Sequence, residues 1–195
     1  MNYDPQKHHR RSIRLKGFDY SQAGWYFVTI CAQNREILFG DVIDGKMVLN
    51  TLGKIIEYHW KKMSIHFKNV NIDEFQIMPN HFHGIVNIIK SVGAMHSNQN
   101  NINNGNNPDM NASPQRPHGT KPGSLGAIMQ NFQSITSRKI NKIRKTPGAR
   151  LWQRNYYEHI IRNENELNRI RQYIIENPLK WQDNKFFAGD AFRSK

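Results

Sequence analysis

Apolar residues recur along the chain in short blocks whose spacing alternates between strand-like and helix-like periods. Trp25–Ala32, WYFVTICA, is a run of β-branched and aromatic residues that predicts a buried strand. Val42–Leu49 predicts a short hairpin, because Asp44-Gly45 is a favoured two-residue turn between apolar pairs. Leu52, Ile55, Ile56, His59 and Met63 fall at helical spacing behind Asn50, a candidate N-cap. Val70, Ile72, Phe75 and Ile77 predict a second long strand with a break near Asp73. Pro79-Asn80 then turns the chain, and His81–Ile89 returns antiparallel to it. Leu125, Ile128, Met129, Phe132, Ile135, Ile140 and Ile143 mark a second helix after Ser124. Tyr156–Ile161 predicts another strand. Asn163 followed by Glu166 has the form of a capping box, opening a third helix that ends near Pro178. The order β, hairpin, α, β-β, α, β, α predicts an α+β sandwich, an antiparallel sheet with helices packed on it.

Composition sets the limits of that domain. With 195 residues, 37% of them hydrophobic, the chain can build one packed core. Residues 91–123 are rich in Asn, Gly, Pro and Ser, with eight Asn from Asn98 to Asn111, and cannot bury enough apolar surface to offset their ordering entropy. They read as a flexible insertion within one domain, with His96 and His118 as exposed bystanders. The organisation expected is a basic arm over 1–23, a single domain over 24–181 carrying that insertion, and a tail over 182–195. No apolar run approaches the roughly 18 residues of a membrane span, and no apolar stretch follows the basic start as a secretory signal requires. Cys31 stands alone, which excludes an intramolecular disulfide framework and suits a cytoplasmic protein.

Charge narrows the partners. The formal net charge is +13, which attracts polyanions, nucleic acid first among them. The charge is clustered: Arg10 and Arg11 lie in KHHRRSIRLK, and Arg138, Lys139, Lys142, Arg144, Lys145, Arg150 and Arg154 lie within 138–154. One such cluster reads as a solvated face; two in so basic a chain point to phosphate contacts. Charge alone does not separate a nucleic-acid enzyme from a passive binder.

Two stretches carry candidate chemistry. In Met78-Pro79-Asn80-His81-Phe82-His83-Gly84, strand alternation turns His81 and His83 to one face and Phe82 to the other. Two imidazoles at i and i+2 can grip one metal ion or one phosphate. Inside an otherwise apolar strand such paired polar rings are costly without partners, which favours a metal site over a pair of surface histidines. In Arg171-Gln172-Tyr173-Ile174-Ile175-Glu176-Asn177-Pro178, Tyr173 and Asn177 share a helix face one turn apart. Taken alone, Tyr173 is also readable as a core-edge aromatic and Asn177 as a helix-terminal residue before Pro178.

The ordered series MPNHFHG, LWQRNYYEHIIR and YIIENP resembles the single-tyrosine HUH transposases, and within them the branch of REP-associated tyrosine transposases. The segment NREILFGDVIDGKMVLNTLG and the surroundings of Trp60 are also similar, so the resemblance spans about Gly24 to Trp181, interrupted by the Asn-rich insertion. It implies a ferredoxin-like domain that nicks and rejoins single-stranded DNA at hairpin-associated sites. It further implies His81, His83 and Asn177 as ligands of Mg²⁺ or Mn²⁺, and Tyr173 as the nucleophile. The insertion-sequence branch usually carries Gln at the position of Asn177; Asn is one methylene shorter. Glu176 is a second candidate ligand, about 100° away around an ideal helix. Tyr156 and Tyr157 are rival nucleophiles in a strand-like, aromatic context. His159 either orients a site residue or packs in the sheet, and Phe132 and Trp152 either stack on bases or fill the core.

The residue types suit the implied reaction. Attack by a tyrosine phenol on a phosphodiester yields a 5′-phosphotyrosine and a free 3′-OH, exchanging one ester for another, so no ATP is needed. The expected partner is single-stranded or hairpin DNA, with no membrane involved; a homodimer is compatible with the sequence and not specified by it. The competing readings are a non-catalytic single-stranded nucleic-acid-binding module and a metal-dependent hydrolase that uses water as its nucleophile.

Overall fold

The computed structural model describes Leu15 and residues 17–89 and 120–181. Arg10, Arg11, residues 91–119 of the expected insertion and the tail over 182–195 lie outside the described residues, as do His96 and His118.

Four strands form one antiparallel sheet. β1 (Gly24–Cys31) and β5 (His81–Ile88) lie at its centre, β4 (Val70–Met78) on one edge and β6 (Tyr157–Ile161) on the other. A separate two-stranded hairpin, β2 (Gly40–Ile43) and β3 (Lys46–Leu49), follows β1. Its turn residues Asp44 (φ 50°) and Gly45 (φ 71°) both take the left-handed conformation that the Asp-Gly pair was expected to supply. The helices are α1 (Thr51–Lys61), α2 (Met63–His66), α3 (Leu125–Arg144) and α4 (Glu164–Glu176). With the hairpin set aside, the chain runs β-α-β-β-α-β before α4, with sheet order β4-β5-β1-β6. That is the expected ferredoxin-like α+β arrangement.

Local chemistry accounts for the boundaries. Asn50 caps α1 by accepting the Leu52 and Gly53 N–H groups, and Ser124 caps α3 through the Ala127 N–H. The first helix breaks at Lys62, so Met63 starts a separate short turn instead of ending α1. Asn163 caps α4 as anticipated, but the Glu166 carboxylate reaches past it to the Arg162 N–H (2.8 Å) and the His159 ring, so the reciprocal half of a capping box does not form. The break expected near Asp73 is a β-bulge: Ile72 pairs with Val86 and Phe75 with Gly84, leaving two β4 residues opposite Ile85.

Strand alternation divides the interior in two. Tyr26, Val28 and Ile30 of β1 and Phe82 and Val86 of β5 face α1 and α3, where Trp60, Phe132 and Trp152 complete the main core. Trp152 and Phe132 are therefore core residues, the indole N–H of Trp152 donating to Thr136 Oγ1 at 2.9 Å. Gly84 is required where Trp60 crosses β5, since a Cβ there would stand 2.5 Å from the indole. On the opposite face Phe27, Ile85 and Ile161 are covered by Leu167, Ile170 and Ile174 of α4. Burying each of those three side chains is worth about 2 kcal/mol, enough to fix the rotational setting of the helix.

Candidate active site

The face covered by α4 carries the polar pair. β1 and β5 pair Thr29 with His83 and Cys31 with His81, so both imidazoles leave the sheet on the side of Phe27, away from the main core. Both rings are buried, at 4% and 1% exposure. His83 Nδ1 lies 2.8 Å from Thr29 Oγ1, His81 Nδ1 lies 2.7 Å from Asn80 Oδ1, and the two Nε2 atoms face each other at 3.0 Å. Burial lowers both pKa values, His81 to about 4 and His83 well below its usual value; the Arg35 charge adds to the fall at His81, and the His81 ring to that at His83.

α4 delivers Tyr173 to the same place. Its ring packs edge-on against Phe27 (centroids 6.1 Å apart) and against His83 (5.4 Å). The helical conformation persists through Asn177 (φ −57°, ψ −41°), so the i, i+4 relation to Tyr173 holds at the cap. The Asn177 amide lies beside both side chains and opposes burial, raising the His81 pKa and lowering that of Tyr173. Burial raises the Tyr173 pKa, and the Asn177 amide and the Lys180 ammonium partly offset that rise. Glu176 is committed elsewhere, to Gln172 and to Lys180 (2.6 Å). Past the helix end, the Trp181 indole stands 6.0 Å from the His81 ring.

Asn80 and Thr29 decide what the pair can hold. When His81 Nδ1 donates to the Asn80 carbonyl oxygen, its Nε2 carries a lone pair directed at His83. Should His83 likewise donate to Thr29, two lone pairs meet at 3.0 Å, an arrangement that closes only on a cation or a shared proton. Two nitrogens at right angles on one ion at about 2.1 Å would stand about 3 Å apart, the separation found here. Among the described residues no three His, Cys, Asp or Glu side chains form a metal cage. An ion would rest on two neutral imidazoles and the Asn177 amide, keeping its charge and leaving positions for phosphate oxygens or water. The residues present therefore fit a divalent ion.

The remaining candidates are placed elsewhere. His159 shares this sheet face but pairs with Glu166 at 2.8 Å, about two helical turns before Tyr173. The Tyr157 ring also turns this way, packing on Phe27 at 6.2 Å, while Tyr156 packs against the main core. Arg138, Lys139, Lys142 and Lys145 ride on or just past α3, across the sheet from Tyr173; Arg144 there pairs with Glu36 at 3.5 Å, and Arg154 is exposed.

One supporting contact was not read from the sequence. Arg171, one half-turn before Tyr173, clasps Asp73 in the β4 bulge with two 2.8 Å hydrogen bonds and lies over the Trp25 ring. The guanidinium holds the Asp73 carboxyl below the usual carboxylate range. Because that folded-state pKa is depressed, the pair stabilises the fold above the unfolded carboxylate pKa near 4, and the contribution is lost as pH falls below it. Both partners keep some exposure, so about 1 kcal/mol is expected. Urea titrations of Asp73→Asn should show that loss at pH 7 and a much smaller one at pH 3; an equal deficit at both would refute the assignment.

No protein-family model matches the chain. Among solved structures, a REP-associated tyrosine transposase bound to a REP hairpin superposes with a TM-score of 0.53 at 15% identity, covering 86% of this chain and 73% of that one. A candidate transposase from Deinococcus radiodurans R1 gives a TM-score of 0.43 at 15% identity, covering 85% and 98%. The first likeness shows a shared fold. In sequence, an uncharacterized protein of Haemophilus influenzae (strain Rd) is 40% identical over 189 residues, 95% of this chain and 97% of that protein. At that identity over nearly the full length of both, the chain belongs to one protein family with the Haemophilus influenzae protein.

Proposed function

We propose that the protein nicks and rejoins single-stranded DNA at hairpin-associated sites through a 5′-phosphotyrosine intermediate, with Tyr173 as the nucleophile. The observation that carries this reading is the meeting of Tyr173 with His81 and His83, from an element about ninety residues away, at 5.4 Å between the Tyr173 and His83 rings. The fold shared with a transposase that is bound to a DNA hairpin supports it.

His81, His83 and Asn177 would hold Mg²⁺ or Mn²⁺; the ion, when bound, polarises a phosphate oxygen and stabilises the charge that develops there. The protein's own groups do the rest. Thr29 and Asn80 hold the imidazoles in orientation from their Nδ1 sides. Phe27 and His83 fix the plane of the Tyr173 ring, and Asn177 holds its hydroxyl. The Tyr173 oxygen forms a bond to phosphorus while the bond from phosphorus to the 3′-oxygen breaks. The phenol proton passes to solvent, and the leaving 3′-oxygen takes one up to become a hydroxyl. Rejoining reverses each change, so the ester bond energy is retained.

The test uses a pool of labelled hairpin oligonucleotides with randomised single-stranded flanks, incubated with the protein and Mn²⁺. An SDS-resistant protein–DNA complex is expected, and EDTA should prevent it. Cleavage that leaves no DNA on protein would instead identify a water nucleophile, and binding without cleavage a passive module; either result overturns the proposal.

A further inference from the structure

A second feature lies across the sheet from Tyr173. Arg138 and Lys142 fall at i and i+4 on the outer side of α3, and Lys145, the left-handed cap that follows the helix, joins them in one stripe along a groove. The segment after the helix folds back beside that stripe. The Asn141 side chain, itself only 7% exposed, ties it down by donating to the Ala149 carbonyl at 2.6 Å. Between stripe and segment lies a groove of about 580 Å³, lined by the three cations and by Ser134 and Ser137 with no carboxylate. At the end of the helix the Lys145 and Thr146 N–H groups close on the Asn141 and Lys142 carbonyls.

What sets these three cations apart is that they are unpaired among the described residues and line one groove together. Arg144, one position from the stripe, is neutralised by Glu36, and Lys61, Lys121, Arg171 and Lys180 each have a carboxylate partner. No carboxylate among the described residues pairs with Arg138, Lys142 or Lys145. Three uncompensated cations side by side repel one another, and the arrangement is relieved by a ligand carrying several negative charges in a row. Arg138 and Lys145 are about 10 Å apart along the helix direction, and three consecutive phosphates of a duplex strand, two steps of about 3.4 Å along its axis, fall within the reach of their long side chains.

We infer that this groove binds the phosphate backbone of a DNA stem, three consecutive phosphates against Arg138, Lys142 and Lys145. The inference deepens the DNA-processing reading, on which it rests, by naming a second contact surface for the same partner, on the sheet face opposite the tyrosine. The two surfaces lie at one end of the sheet. Arg144 reaches Glu36 just after β1, where Ala32 bridges to Trp152, and Cys31 at the end of β1 pairs with His81. A stem held in the groove therefore presents its single-stranded flank around that end of the sheet toward His81 and His83. Contacts to phosphate fix register and carry no base identity, so the groove positions the stem without selecting its sequence.

The experiment is equilibrium binding of a fluorescein-labelled DNA hairpin, followed by anisotropy over a series of salt concentrations. Neutralising all three cations (R138Q, K142Q, K145Q) should make the plot of log affinity against log salt shallower by about 2.7, or about 0.9 for each phosphate that no longer meets a cation. The weakening should be the same for hairpins of unrelated stem sequence. A reference variant neutralising Lys46, Lys54 and Lys68, three exposed lysines elsewhere, controls for net charge and should leave the slope nearly unchanged. An unchanged slope in the groove variant overturns the inference, as does an equal change in the reference variant. Thermal melting of each variant checks folding, and single substitutions at the three positions, each worth about one third of the effect, replace the triple one if it does not fold. Neither readout involves cleavage, so failure of the phosphotyrosine chemistry and failure of the groove are separately visible.

Discussion

Tyr173→Phe should abolish the covalent protein–DNA complex while leaving affinity for the same oligonucleotide within about twofold, because one oxygen is removed from the site and little else changes. The ring that packs on Phe27 and His83 is retained. The fold gives up the hydroxyl's interaction with the Asn177 amide, worth about 1 kcal/mol. Loss of a nucleophile leaves no route to the covalent ester, so the expected drop in adduct is about 10³-fold or more, down to the detection limit. Presenting a phenolate at pH 7 from a pKa near 10 costs about 4 kcal/mol, and burial of Tyr173 raises that cost. The site must therefore supply positive charge; the Lys180 ammonium, itself paired with Glu176, gives part of it, and an ion held by the imidazoles would give the rest. Tyr157 makes the outcome informative: it faces the same side, 6.2 Å from Phe27, though burial and the nearby Glu166 carboxylate raise its pKa. Peptide mapping of the adduct separates the two. Undiminished adduct in Tyr173→Phe, or phosphate recovered on Tyr157, would remove Tyr173 from its role.

How far such a site was legible depends on which contacts are local. Strand alternation alone put His81 and His83 on one side and Phe82 on the other, and the structure shows the consequence: Phe82 enters the core beside Trp60, while the imidazoles face α4. Caps at Asn50, Ser124 and Asn163 were readable for the same reason, since donor and acceptor lie within three residues. What faces the histidines was not. Thr29 meets His83 only because β1 and β5 pair in one particular register, and register is a property of two strands about fifty residues apart. The period-2 pattern of WYFVTICA placed a hydroxyl on a defined face, and that was the signal available. Arg171 finds Asp73 because a bulge turns the carboxylate toward α4; the sequence marked the break but not its direction. The convergence of Tyr173 with His81 rested on family resemblance and not on spacing. The basic cluster at 138–154 was legible as a run of charge but not in its division: the fold sets Arg144 beside Glu36 and three of its neighbours along a common groove.

Replacing His81 and His83 together by Ala should eliminate Mn²⁺ binding and adduct formation alike, although Tyr173 is untouched. The imidazoles would be the two nitrogen donors to the ion, and the single amide of Asn177 is too weak a donor to retain it alone. Chelation of the wild-type protein by EDTA should reproduce the same loss, and returning Mn²⁺ should restore activity to the wild type but not to the variant. The supporting groups give a graded version of the test. Thr29→Val removes the partner of His83 Nδ1 while preserving shape, and a change of that kind weakens metal affinity by about 10- to 100-fold. Adduct formation by Thr29→Val should therefore recover at high Mn²⁺, whereas the double alanine variant should not recover at any concentration. Electron paramagnetic resonance of bound Mn²⁺ measures affinity without reference to DNA. Full adduct yield in EDTA would show that the tyrosine reacts without an ion. Metal binding that persists in the alanine variant would place the ion elsewhere, and a Thr29→Val protein with unchanged affinity would deny Thr29 its part in orienting His83.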